Sequence, residues 1–271
     1  MRLVDTHCHV GFKAYAEDAD AVIERAIQDQ VTMVTVGTQQ TTSKAAAALA
    51  NKYGPVYASI GLHPTHTIAH GFNDTQELDF KPKQEVFDAQ AYEAILQTSK
   101  KIVAIGETGL DYYRLPPESE QSMKRLQWEA TTAQFAFAKA HDLPVIVHCR
   151  DAHADMVSVI KEQGGRGVIH CFTGTYEEAK RYVDMGWVIS FSGIATFAKE
   201  VGEVAGKLPL DSIVIETDAP YLTPPPFRGK RNEPLYVKYV AESIAKRHGI
   251  PVEAFAEATA LNAIKLFRLP I

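Results

Sequence analysis

Eight short apolar runs rich in β-branched residues alternate with nine helix-like segments from one end of the chain to the other, and they predict an α/β protein folded as a single-domain TIM (β/α)8 barrel. A second observation agrees: residues suited to chemistry collect at the C-terminal ends of six of these runs, the end at which such barrels carry their sites. A third weighs against the competing α/β architecture, because no Gly-x-Gly-x-x-Gly turn follows the first run to support a doubly wound sheet.

In chain order the predicted strands are Leu3–His9, Val31–Thr38, Val56–His63, Ile102–Glu107, Pro144–His148, Gly167–Cys171, Trp187–Phe191 and Ser212–Asp218. Each is short and apolar, as strands buried on both faces are. Amphipathic helices are expected over roughly 17–29, 41–53, 88–99, 117–141, 153–163, 175–185, 197–206 and 233–248, with a last one over about 252–267. No linker or low-complexity tract interrupts this alternation, so residues 1–271 read as one domain. The stretch 64–87, broken by Pro64, Gly71, Asn73, Asp74 and Pro82, reads as a long loop after the third strand, and such loops are often functional.

Composition limits what the barrel handles. Hydrophobic residues make up 46% and charged residues 23% of 271, the balance of an ordinary globular chain. No stretch is apolar enough to span a bilayer, and Met1–His7 carries no targeting segment. Lys plus Arg is 28 against 33 for Asp plus Glu, a net charge of −5, which argues against a broad basic surface coating nucleic acid. A polyanion would have to be met by a local positive cluster or by bound cations. Three widely spaced cysteines, Cys8, Cys149 and Cys171, form neither a disulfide framework nor a thiolate zinc site, so a cytoplasmic setting is expected.

His7 and His9 end the first strand, His63 the third, Glu107 the fourth, His148 the fifth, His170 the sixth and Asp218 the eighth. The two-residue period of a strand lets His7 and His9 share one cavity, and turns the three cysteines behind it as packing groups. The same parity sets Asp5 below His7 and Glu216 below Asp218 as carboxylates that orient the ligating groups. Imidazole suits zinc, and carboxylate suits magnesium or manganese. Six candidate ligands exceed the needs of one ion, so two divalent ions are expected. His7, His9 and Asp218 surround one, His148 and His170 the other, and Glu107 bridges them. Two such ions activate water, so the implied chemistry is hydrolysis. His63 taken singly is a hydrogen-bonding residue, and His66, His70, His141, His153 and His248 read as surface or packing groups.

The motifs carrying these residues resemble the TatD-type metal-dependent deoxyribonucleases. They are Asp-Thr-His-Cys-His at 5–9, Gly-Leu-His-Pro at 61–64, Gly-Glu-Thr-Gly-Leu-Asp-Tyr at 106–112, Val-His-Cys-Arg at 147–150, His-Cys-Phe-Thr-Gly at 170–174, Glu-Thr-Asp-Ala-Pro-Tyr-Leu at 216–222 and Arg-Gly-Lys-Arg-Asn-Glu-Pro at 228–234. The resemblance implies a barrel hydrolase with two divalent ions on His7, His9, Glu107, His148, His170 and Asp218. It implies cleavage of DNA, chiefly as a 3′→5′ exonuclease, and some members are credited with removing D-amino acids from charged tRNA. Where related amidohydrolases bridge their metals with a modified lysine on the fourth strand, Glu107 stands here. The 64–87 loop is longer than the family pattern.

For a phosphodiester substrate, Asp218 is the candidate general base and, with Glu107, the catalytic pair. His63 and Arg150 are candidates to bind phosphate, and Arg228, Lys230 and Arg231 form the local positive cluster. Tyr112, Tyr113, Tyr221 and Phe227 are placed to stack on unpaired bases at a single-stranded end, without sequence readout. No membrane or obligate protein partner is implied. The rival readings are a metal-dependent ester or amide hydrolase, such as a D-aminoacyl-tRNA deacylase, and a barrel that uses its metals structurally to dock nucleic acid.

Overall fold

The computed structural model describes residues 1–68, 84–113 and 115–270. Its first half runs β1 (Leu3–Cys8), α1 (Ala19–Gln28), β2 (Val31–Val36), α2 (Gln40–Lys52), β3 (Val56–Ile60), α3 (Ala89–Leu96), β4 (Ile102–Asp111) and α4 (Glu120–Ala140). The second runs β5 (Val145–Arg150), α5 (His153–Gln163), β6 (Gly167–Ile169), α6 (Tyr176–Asp184), β7 (Val188–Phe191), α7 (Ile194–Phe197), α8 (Lys199–Lys207), β8 (Ile213–Ile215), α9 (Val237–His248) and α10 (Val252–Phe267). All eight strands pair in sequence order and in parallel. The ring closes where Asp218 N–H donates to the His7 carbonyl and His9 N–H to the Ala219 carbonyl, at 2.9 and 2.7 Å. The chain is a (β/α)8 barrel. Among the described residues no helix is long and apolar enough to cross a membrane.

One contact cluster draws on every strand, among them Val4, Val34, Tyr57, Ile146, Val168 and Val214, which makes it the barrel interior. Ala260, Ala263 and Phe267 of α10 join it. These strand residues lie toward the N-terminal ends, so α10 seals that mouth and leaves the opposite one for ligands. Every residue of β1, β2 and β3 is buried, which is why these strands read as apolar runs rather than alternating ones.

Several boundaries moved, and two matter for function. The strands before His63, His170 and Asp218 end at Ile60, Ile169 and Ile215, so those side chains project from the first turns of loops. In contrast, β4 continues four residues past Glu107 to Asp111. Its pairing register with β5 shifts between Ile105 and Thr108, and that of β1 with β2 shifts between Asp5 and Cys8. Such bulges re-aim side chains next to sites, and here they hold Glu107 and His7. Of the 64–87 loop, residues 64–68 and 84–87 are described; Pro64–Thr67 form a 3-10 turn, and His70 lies outside the described residues.

Gly106 and Gly109 frame Glu107, both at φ +143°. A Cβ on Gly109 would run into the His148 carbonyl oxygen, and one on Gly106 into that of Ile146. Gly109→Ala therefore combines backbone strain with overlap, an expected loss of about 3 kcal/mol, read from the urea midpoint. A loss below about 0.5 kcal/mol, the range of an indifferent surface change, would refute this account of the β4–β5 approach.

Candidate metal centre

The C-terminal mouth of the barrel holds a cavity of about 490 Å³ whose wall includes His9, His63, Glu107, His148, His170 and Asp218. His7 lies beneath them, fully buried. Glu107 is the centre of the arrangement. Its Oε1 lies 2.8 Å from His170 Nε2, 2.9 Å from His148 Nδ1 and 3.2 Å from His63 Nε2. Its Oε2 lies 3.3 Å from His7 Nε2 and 3.9 Å from His9 Nε2. Asp218 Oδ1 completes this second group, 3.5 Å from His9 Nε2 and 3.9 Å from His7 Nε2.

Hydrogen bonds on the far side of the rings decide what each nitrogen offers. His9 Nδ1 donates to the Val36 carbonyl at 3.0 Å. His170 Nδ1 faces Glu216 Oε1 at 3.2 Å, and His148 Nε2 faces Asp111 Oδ2 at 3.0 Å. These partners accept only, so each ring, when neutral and facing a cation, would keep its proton on the outer nitrogen and turn the unprotonated one inward. Inward lone pairs then point at carboxylate oxygens, and the His7 and His9 Nε2 atoms approach to 3.1 Å. An all-acceptor centre of this kind is satisfied by protons or by cations. Donor separations of 2.8–3.9 Å bracket the roughly 3.3 Å between ligands of a tetrahedral ion with bonds of about 2.05 Å. The residues fit divalent metal.

Electrostatics point the same way. Burial opposes charge on Glu107, but His170, His63 and His7 more than offset it and hold the carboxyl well below its usual range. Burial, with His170 beside it, lowers His7 to about 3, leaving a neutral ring. Burial also opposes a charged His170, yet Glu107 and Glu216 raise it well above the ordinary value. The centre stabilises positive charge placed between its carboxylates.

His63 differs from the other four. Its Nδ1 accepts the Thr65 backbone N–H at 3.2 Å as the cap of the 3-10 turn, so in the neutral ring the proton sits on Nε2, which faces Glu107. His63 is a donor at this mouth.

The carboxylates expected below the ligands divide. Glu216 meets the His170 ring and also accepts from Cys171 N–H at 2.8 Å and from the Ser190 hydroxyl. Asp5 accepts from Thr217 N–H and Oγ1 at 2.8 and 2.6 Å and from the His7 backbone at 3.3 Å. The bulge in β1 breaks the parity that set Asp5 under the His7 ring, and His7 Nδ1 has no hydrogen-bond partner among the described residues.

The basic residues divide as well. Arg150 lines the cavity and lies over the Tyr113 ring at 3.6 Å. Arg231 is committed elsewhere, to Asp18 at 2.6 and 2.8 Å and to the Ala14 carbonyl. Arg228 lies over Phe197 and donates to the Thr223 carbonyl, and Lys230 is 5.8 Å from the Phe227 ring centre. The three cations of this loop do not share one partner: Arg231 is tied to Asp18 and Ala14 in the segment before α1, and Arg228 to Thr223 and Phe197. Phe227 stacks on Tyr236 and Tyr112 donates to Asp155, while Tyr221 lines the cavity. Cys149 and Cys171 reach the cavity wall, Cys171 because β6 ends before it. Burial raises all three thiols, Cys149 to about 12, so none supplies a thiolate. Buried His66 also reaches this wall.

Two features were not anticipated. Asp111 lines the cavity beside His148; its position four residues after Glu107, hence on the same strand face, was the available signal, hidden by ending the strand at Glu107. The other is a buried polar stripe on α4. Gln127 bonds both backbone groups of Asp111, Thr131 donates to the Gly109 carbonyl, and Gln134 bonds both backbone groups of Leu62. Spacings of four and three residues put the three side chains on one helix face, where they fix the ends of β3 and β4.

The profile of the family described as TatD related DNase matches residues 4–268. The chain belongs to the TatD family. It is 42% identical to the uncharacterized metal-dependent hydrolase YabD of Bacillus subtilis, over 98% of this chain and 99% of that one. It is 35% identical to YcfH of Escherichia coli, also named an uncharacterized metal-dependent hydrolase, over 99% and 97%. The crystal structure of the TatD homologue YjjV from E. coli superposes with a TM-score of 0.83 at 31% identity, covering 99% of each chain. This TatD-family chain is a metal-dependent hydrolase, and its candidate ligand clusters lie at the barrel mouth.

Proposed function

We propose that the protein is a two-metal phosphodiesterase that removes nucleotides from single-stranded DNA ends, in the 3′→5′ direction that its family resemblance implies. One observation carries the reading: the two oxygens of Glu107 face separate donor groups, Oε1 toward His148 and His170 and Oε2 toward His7 and His9, with Asp218 beside the second. Divalent ions held there supply charge neutralisation at the scissile phosphate and acidify water; zinc, magnesium and manganese all suit the mixed donors.

The chain's own groups do the rest. Asp218 orients the attacking water and takes its proton. His63 donates its Nε2 proton in a hydrogen bond to a phosphate oxygen. Arg150 grips phosphate from the rim, where its planar guanidinium matches two oxygens. A cavity of about 490 Å³ is of the size that takes one small organic ligand, which suits a terminal nucleotide better than a duplex. Tyr221 and Tyr113 offer rings to bases near that end. Three free thiols support a reducing, cytoplasmic setting.

The test pairs elemental analysis with product analysis on a 5′-labelled single strand and, in parallel, an aminoacyl ester. Metal-dependent release of mononucleotides supports the reading; inertness toward oligonucleotides with turnover of the ester replaces it with a deacylase. Arg150→Ala should raise KM for oligonucleotides about tenfold, the ~1.5 kcal/mol of one charge-assisted hydrogen bond. Arg231→Ala should leave KM unchanged and lower the thermal midpoint, since its partner is Asp18. Equal KM effects from both would reject this division of the basic residues.

A further inference from the structure

Four of the imidazoles around Glu107, those of His7, His9, His63 and His170, turn Nε2 inward, but His148 turns Nδ1. The cause lies on the outer side of that ring. Asp111 Oδ2 sits 3.0 Å from His148 Nε2, and nothing about Asp111 is left loose. Its Oδ1 accepts the Tyr113 backbone N–H at 3.1 Å. Gln127 accepts the Asp111 N–H at 2.8 Å and donates to its carbonyl at 2.9 Å. Gln127 is itself fully buried. The register pairs Gly109 with His148 and Asp111 with Arg150, so Asp111 stands two residues nearer the barrel mouth on the neighbouring strand, and its carboxylate meets the mouth-side nitrogen of the ring.

We infer that Asp111 is a positioning residue for the metal centre: it selects the His148 tautomer that carries its proton on Nε2 and thereby presents Nδ1 as the inward donor. This role rests on the metal reading proposed above and adds a determinant to it. The physics is that of a carboxylate behind a ligating histidine, which fixes ring orientation, raises the ring's basicity and accounts for tenfold to a hundredfold in metal affinity. An ionised carboxylate only accepts, so it admits a single tautomer of its partner. A neutral ring without that partner would distribute its proton between the two nitrogens.

The experiment uses the full-length protein with Zn2+, a diamagnetic probe. Long-range 1H–15N correlation spectra of the zinc-loaded protein should show a protonated Nε2 on His148, and a protonated Nδ1 would overturn the proposal whatever the variants do. Calorimetric zinc titrations should show two sites in the parent protein. In Asp111→Ala one site should weaken tenfold to a hundredfold while the other stays within about twofold. Asp111→Asn, nearly isosteric and still offering an oxygen to Nε2–H, should recover most of that loss. Unaltered zinc affinity in Asp111→Ala, or equal weakening of both sites in both variants, would overturn the tautomer role. Absence of zinc binding by the parent protein would remove the metal reading itself, so the two failures are distinct.

Discussion

Glu107→Ala is expected to end metal retention at both donor groups and to lower turnover on the order of 10³-fold, while the barrel stays folded. The side chain supplies one oxygen to each group, so its loss cannot be confined to one. Several kcal/mol of transition-state charge stabilisation go with the ions, and each 1.4 kcal/mol is a factor of about ten in rate. Folding should tolerate the change. The carboxylate is 3% exposed, and its burial is compensated by imidazoles that can revert to neutral when it is gone. Thermal melts with and without Zn2+ check this directly: the parent protein should gain stability on adding metal, and the variant should not. A variant that keeps two ions after dialysis would remove Glu107 from the bridging position.

Asp218→Asn should cost on the order of 10²- to 10⁴-fold in kcat, the range of a lost general base, with KM little altered. The amide retains an oxygen toward His9 but cannot take up the proton of water. Its backbone place should persist, because Asp218 N–H donates to the His7 carbonyl and its own carbonyl accepts from Tyr221. Single-turnover rates alongside metal content separate the two roles of this residue. An unchanged rate with full metal occupancy would assign the base elsewhere.

The contrast between these residues and their surroundings shows what a sequence makes legible. His7, His9, Glu107, His148, His170 and Asp218 stand at the ends of runs that are apolar for a strong physical reason: each strand is covered on both sides. A polar residue closing such a run is therefore conspicuous, and the barrel topology brings the ends together. Asp111 escaped because Gly106 and Gly109 interrupt the apolar pattern of β4 while the strand itself continues. The basic loop misled for the opposite reason. Its charges are visible in the sequence, but their partners, Asp18 of the segment before α1 for Arg231 and Arg25 of α1 for Glu233, are more than two hundred residues away. Gln127, Thr131 and Gln134 read as ordinary polar positions of a helix, and only packing shows that they face the strand ends.

The closing seam of the barrel runs through the centre itself. Asp5 holds Thr217 across 212 residues of chain, and the His7 and His9 backbones bond to Asp218 and Ala219. A cation shared by His7, His9 and Asp218 would thus fasten the first strand to the last, acting as a reversible cross-link between opposite ends of the polypeptide. Such a clasp strengthens the folded state in proportion to the logarithm of metal concentration over its dissociation constant. Resistance to unfolding in this protein would then track metal supply, and starvation for the ion would loosen the same seam that bears the ligands.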